Sequence, residues 1–316
     1  MISNLAANFT SPYIGLFGFS YGIIVRNVIL DSSCSITSSF KGSNNAYAGG
    51  FVGRCDASNE PCTLENNVNM GSISFTGNTG DSLFLGGVAS NLYPSGYNII
   101  VKNCANYGDV THSGVSIRSC IGGIIGDTGN SRAYIYNSLN QGTIKHNGKT
   151  TGEVNIGGIV GYTYYTTVEN CVSAGKISFT GTGNIGSIVG YIKSDTTINY
   201  CYFSSELNNH DKYGYIESTS SESYVLSYNS TFELDESVSI GSYTSTSLIN
   251  TLNTYIEYYA ISDFSHWLLN KDINTVNFTI NNDRTSPISM DYQIILLPSL
   301  MSEGNIGFDG WYEDST

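Results

Sequence analysis

Residues 158–177 read Gly158-Ile159-Val160-Gly161-Tyr162-Thr163-Tyr164-Tyr165-Thr166-Thr167-Val168-Glu169-Asn170-Cys171-Val172-Ser173-Ala174-Gly175-Lys176-Ile177, and they carry three short signals in a fixed order. The first is a glycine block, Gly158-Ile159-Val160-Gly161. It recurs as Gly15-Leu16-Phe17-Gly18, Gly50-Phe51-Val52-Gly53, Gly87-Val88-Ala89-Ser90, Gly123-Ile124-Ile125-Gly126 and Ser187-Ile188-Val189-Gly190, with starts 29 to 37 residues apart. The second is an apolar residue two before Asn: Val25/Asn27, Leu64/Asn66, Val101/Asn103, Ile135/Asn137 and Val168/Asn170, then Ile198 with Tyr200 in place of Asn. The third is Gly-x-apolar, at Gly71-Ser72-Ile73, Gly108-Asp109-Val110, Gly142-Thr143-Ile144 and Gly175-Lys176-Ile177. Order and phase kept over six copies mark a repeat architecture.

Each block is a short run rich in β-branched residues and bounded by Gly, Asn or Ser, which predicts a strand. The runs are too short for helices and lack helical spacing. Three short strands per repeat predict one coil of a right-handed parallel β-helix, a solenoid of about six coils whose equivalent strands stack about 4.8 Å apart. Val25, Leu64, Val101, Ile135, Val168 and Ile198 then form one inward ladder, and Ile73, Val110, Ile144 and Ile177 another. The glycines are expected to supply corners with positive φ. The Asn column is expected to take the left-handed conformation and to hydrogen-bond along the stack.

Composition agrees with this class and excludes others. Only 12 % of the 316 residues are charged, against about 25 % in average domains, while 24 Tyr and 13 Phe supply apolar area. The net charge of −13 is uneven. Residues 1–203 balance ten acids with ten bases, whereas residues 204–316 hold sixteen acids and only Lys212, Lys271 and Arg284. We therefore expect two regions: β-helix repeats over 1–203 and a smaller, mixed α/β, acidic capping or accessory region over 204–316. In the latter, residues 246–258 place Leu248, Ile249, Leu252 and Ile256 on one helical face after Ser and Thr caps. Strand-like pieces follow at 266–270, 274–280 and 292–297. Nucleic acid is excluded as a partner by the lack of clustered bases, and no apolar run is long enough for a spanning helix. The run 13–25 lacks the flanks of a signal peptide.

The glycine blocks followed by Asn-Cys-x-Asn-x-Gly-x-Val/Ile resemble GLUG-motif repeats over roughly residues 13–203, with departures at Ser187 and Tyr200. Such repeats occur in large surface and secreted proteins of bacteria and protists, resemble stalk or adhesin segments, and in some bacteria accompany an IgA-cleaving metalloprotease. The resemblance implies extracellular or cell-surface exposure and an adhesive or scaffold role toward a host or neighbouring surface macromolecule, protein or glycan. It brings no catalytic residue and no cofactor. Phe308-Asp309-Gly310-Trp311-Tyr312 resembles the start of a Gly-Trp-Tyr surface repeat.

The chemistry in the residues is sparse. His112, His146, His210 and His266 lack HExxH spacing. Asp109, Asp127, Glu153 and Glu169 fall at different coil phases and are read as solvated face residues rather than a converging carboxylate pair. The chain is therefore expected not to be an enzyme. The alternatives are a carbohydrate-binding or carbohydrate-cleaving β-helix, favoured by converging carboxylates in an aromatic groove, and a purely structural stalk. Cys104, Cys171 and Cys201 share a small-residue column with Asn67 and Ser138, while Cys34 and Cys120 stand free. Cys55 and Cys62 bracket a loop that a disulfide could close in an oxidising compartment. Asn8, Asn229 and Asn277 head glycosylation triplets. Tyr162, Tyr164, Tyr165 and Tyr191 either pack over a coil corner or form a ligand platform. The chain opens almost inside a repeat, which predicts further coils upstream and self-association through residues 13–28.

Overall fold

In a computed structural model, which describes residues 1–130, 132–218 and 220–270 together with the strands 275–278, 280–283 and 286–288, the chain winds as a parallel β-solenoid of about six turns. The third coil shows the plan. Wall one is Ser72–Phe75, wall two Asn78–Thr79, wall three Ser82–Gly86, wall four Ala89–Tyr93, wall five Ile99–Lys102 and wall six Ala105–Asn106. Stacked over the coils, these build six-, four-, six- and seven-stranded sheets, and walls five and six share a 14-stranded one. The coil thus has more sides than the three strands expected.

Both inward ladders stand in register. Val25, Leu64, Val101, Ile135, Val168 and Ile198 pair in sequence, as do Ile73, Val110, Ile144 and Ile177. All are buried. The inward faces of all the parallel sheets meet in one core that fills the tube along its length, while the outward faces stay partly exposed.

The glycine block differs from expectation. Its first two residues form the tight corner between walls three and four, its last two open the wall-four strand, and none of its glycines has positive φ. The glycine just before the block and the first glycine of the block are required by close approach. A methyl on Gly86, Gly122, Gly157 or Gly186 would run into the carbonyl oxygen of Ala89, Ile125, Val160 or Val189 three residues on. A methyl on Gly87 or Gly123 would strike the side-chain amide of Asn106 or Asn140. Those amides form a buried ladder of their own: Asn69 Nδ2 donates to Asn106 Oδ1 at 2.8 Å, and Asn106 Nδ2 to Asn140 Oδ1 at 2.9 Å.

Positive φ instead belongs to the first Asn column: Asn27, Asn66, Asn103, Asn137 and Asn170 lie between 46° and 58°, and Tyr200 at 50°. Each of the four later Asn donates to the one before it, at 2.7–3.1 Å. Asn tolerates this conformation because its short amide bonds locally, which explains its recurrence at the wall-five corner.

Parallel pairing runs past Phe203. Tyr213–Ile216 stacks on Val189–Ile192, and Ser220–Tyr228 on the long strand Thr196–Ser204. The antiparallel pair Glu233–Ile240 and Tyr243–Ser247 follows, then the helix Leu248–Tyr258. Ser247 is its N-cap, though its side chain makes no capping bond. The helix and Trp267 lie along the flank, over the outward column Val68, Ala105, Leu139, Val172 and Tyr202 of wall six. Trp267–Asn270 pairs with Thr275–Phe278; residues 292–297 and 308–312 lie outside the described residues.

The Asn column clips this flank down. Asn103 Nδ2 donates to the Asp263 carbonyl at 2.8 Å and its Oδ1 accepts from Ser265 N at 3.0 Å. Asn137 Nδ2 donates to the Ser265 carbonyl at 2.8 Å, and Asn137 Oδ1 accepts from Trp267 Nε1 at 2.7 Å. Asn137→Gly keeps the backbone conformation and strands the buried indole N–H, a loss of about 1–3 kcal/mol. Tryptophan emission should shift to the red and unfolding should occur at lower temperature; unchanged emission and melting would contradict the clip.

Candidate functional site

The corner glycines bring the outward faces of walls three and four close together, and their columns meet across it. On wall three Tyr13, Tyr47 and Phe84 stack at 5.1 Å, and Cys120, Asn155 and Asn184 continue the column. On wall four the register runs Phe19, Arg54, Asn91, Asp127, Tyr162, Tyr191 and Tyr215. Tyr13 meets Phe19 edge-on at 5.2 Å in the first coil, and in the following coils aromatic rings on one wall oppose polar groups on the other across the cleft.

Arg54 Nη1 donates to the Tyr47 hydroxyl at 2.7 Å, and its guanidinium lies 5.2 Å and 5.3 Å from the Tyr47 and Tyr93 rings. The Arg118 guanidinium sits 4.3 Å from the Tyr162 centroid, while Nε donates to Glu153 at 3.0 Å. Such cation–ring contacts hold both partners in place. Asp127, expected on a solvated face, is buried at 6 % exposure. Burial pushes its carboxyl up to about 6, against the Gly129 N–H and the charges of Arg118 and Arg54. The middle of the cleft is filled by the protein's own side chains.

The four tyrosines divide. Tyr162 and Tyr191 stack at 5.0 Å, and Tyr215, not singled out from the sequence, extends the stack at 5.1 Å. Burial pushes the Tyr162 phenol up to about 12, with Arg118 opposing. Tyr191 donates to Glu217, which also pairs with Lys193. Tyr164 and Tyr165 lie around the next corner, edge to face at 4.5 Å. Tyr215 falls beyond the last glycine block, so only the continued strand stacking reveals it.

The remaining candidates are placed as follows. All seven cysteines are buried free thiols. Cys55 and Cys62, the pair a disulfide could close, lie buried close to one another, both as thiols. Cys104, Cys171 and Cys201 keep their common column, and burial pushes the Cys104 thiol up to about 12. Asn8 is exposed on the strand Ala6–Phe9. Asn229 is exposed at a turn, its Oδ1 accepting from Thr231 N at 2.9 Å and Thr231 Oγ1 at 2.7 Å. Asn277 lies in the strand Thr275–Phe278. Among the described residues no group of three His, Cys, Asp or Glu is arranged to hold a metal.

His112 and His146 sit in an inward aromatic column, in register between Phe75 and Phe179. Their rings are 4.5 Å apart. His146 Nε2 bonds Thr150 Oγ1 at 3.0 Å, which joins Ser116 and Ser119. His112 is fully buried and neither ring nitrogen has a partner. Burial, and then the neighbouring His146, push its imidazole down to about 3.

The GLUG motif model matches residues 152–178, from wall three of the fifth coil to wall one of the sixth. No curated protein and no solved structure matches the chain.

His112 stays neutral in the fold while the unfolded chain takes a proton near 6.5. Its contribution is therefore complete above about pH 6.5 and is lost as pH falls toward 3, at about 1.4 kcal/mol per pH unit. His112→Phe completes the Phe75–Phe179 column without that penalty. It should raise the melting temperature at about pH 5 and flatten the acid limb. An acid limb identical to wild type would contradict this.

Proposed function

We propose, for a chain that carries the GLUG motif on a β-solenoid, a non-enzymatic extracellular or cell-surface role as a recognition scaffold. Its partner would be a host or neighbouring surface macromolecule, protein or glycan. The supporting observation is the outward order of the coils. Tyr162, Tyr191 and Tyr215 present one aromatic column at 5.0–5.1 Å intervals, braced by Arg118 and by the Lys193–Glu217 pair. A rigid, repeating face of this kind suits binding of extended partners, and Tyr with Arg are the side chains that most often anchor interfaces.

The carboxyl best tuned for acid catalysis, Asp127, is buried at 6 % exposure and hydrogen-bonded to its own loop. That placement favours a structural role for it.

Two measurements test the reading. Antibody against the chain should label intact, unpermeabilised cells of its source or their surrounding matrix. The purified chain should bind mucin or a surface polysaccharide saturably while releasing no product from pectin, chitin, mucin or casein. Labelling only after permeabilisation, or turnover abolished by Asp127→Asn, would overturn it.

A further inference from the structure

We propose that the corner between walls four and five in coils four to six is a binding site for one hexopyranose unit of a neutral glycan, centred on Tyr165. The proposal deepens the recognition-scaffold reading and rests on it.

A surface pocket of about 490 Å³ opens here, lined by Arg132, Tyr134, Tyr165, Thr167 and Asp195. Its volume falls in the range of small-ligand sites, about 300–1,000 Å³. The lining follows from the coil register. Arg132, Tyr165 and Asp195 immediately precede the paired wall-five strands Ala133–Tyr136, Thr166–Glu169 and Thr196–Ser204, so they are one coil position seen three times. Tyr134 and Thr167 are direct partners in those strands, two residues further on. One stack therefore supplies a cation, an aromatic ring and an anion on successive coils. A second ring and a hydroxyl stand beside it.

Two rim residues lie at positive φ, and for the bulkier one, Tyr165, this runs against backbone preference. Tyr165 has φ of 49° and Asp195 of 34°. An L-residue in the left-handed region costs about 1–2 kcal/mol, and a bulky one there is an outlier. The fold meets that cost at Tyr165, at the rim of the pocket, as it does at Tyr200, Tyr224 and Phe232 elsewhere. Tyr164 packs edge-on against Tyr165 at 4.5 Å and fixes the ring, which is 39 % exposed.

The donor set selects the ligand. Tyr rings offer faces to apolar C–H surfaces and hydroxyls to polar edges. Arg132 donates only, Asp195 accepts only, and Thr167 does both. A ring with C–H faces and a rim of vicinal hydroxyls meets all of these. Arg132 and Asp195 bring one charge of each sign to the lining, which gives no net attraction for an anionic sugar.

The test is isothermal titration of the full chain with maltohexaose, cellohexaose, chitohexaose and mannohexaose, with hexagalacturonate as the anionic comparison. Tyr165→Asn separates binding from stability, since Asn tolerates the left-handed backbone. We expect at least one neutral hexasaccharide to bind, and affinity to fall about tenfold or more in Tyr165→Asn and Asp195→Asn, each tenfold being about 1.4 kcal/mol. Tyr165→Asn should melt at or above the wild-type temperature. No binding of any neutral hexasaccharide, or preference for hexagalacturonate, would overturn the proposal. Binding that survives Tyr165→Asn would refute this pocket and leave the scaffold reading standing, because the ligand would then sit elsewhere on the solenoid.

Discussion

Every coil must place its residues over the same residues of the coil before it, one strand spacing away, about 4.8 Å. This single constraint organises the molecule. Inside the tube it turns each apolar position into a ladder, so the Val25-to-Ile198 column and the Ile73-to-Ile177 column are properties of the register rather than of any one coil. At the corners it allows a polar side chain to be buried, because its counterparts above and below can complete its hydrogen bonds. Asn103 and Asn137 illustrate the economy of this arrangement. Each gives one N–H to the ladder and another to the C-terminal segment, and each also accepts from that segment. Buried polar networks are stable when their members are satisfied in this way.

The same register makes outward chemistry cumulative. A substitution in one coil changes one rung of a column, and a column becomes a surface. Tyr162, Tyr191 and Tyr215 are one such surface; Arg132, Tyr165 and Asp195 are another, with mixed character. The acidic C-terminal region does more than end the tube. Among the described residues it runs along the flank of wall six, on a different side of the tube from the aromatic columns of walls three and four.

Much of the fold was legible in the chain. The apolar ladders were readable because inward positions cannot change character without breaking the stack. The left-handed Asn corner was readable because few residues accept that backbone. Other features depend on three-dimensional proximity that the order of residues does not express. The corner glycines were expected to supply positive φ, yet they are needed because the chain folds back onto Ala89, Ile125, Val160 and Val189. Asp127 looked solvated because a lone acid in a polar coil has no sequence mark of burial; the opposing wall buries it. The tyrosine cluster read as one platform lies on two sides of a corner. Tyr215 and the Trp267 anchor lie beyond the repeat, where pairing is set by contacts distant in sequence.

In-register stacking is the claim on which the rest depends, and directed cross-linking tests it most directly. Thr63 and Ile100 are outward partners in adjacent coils, and Thr63 and Tyr134 are two coils apart on the same column. The seven native thiols are buried. Cysteines at Thr63 and Ile100 should bridge rapidly on mild oxidation of the folded chain, because their Cα spacing, about 5 Å, suits a disulfide. Cysteines at Thr63 and Tyr134 should not, because two coils separate them by about 10 Å. Failure of the first pair to bridge, or bridging of the second, would contradict the register and the account built on it.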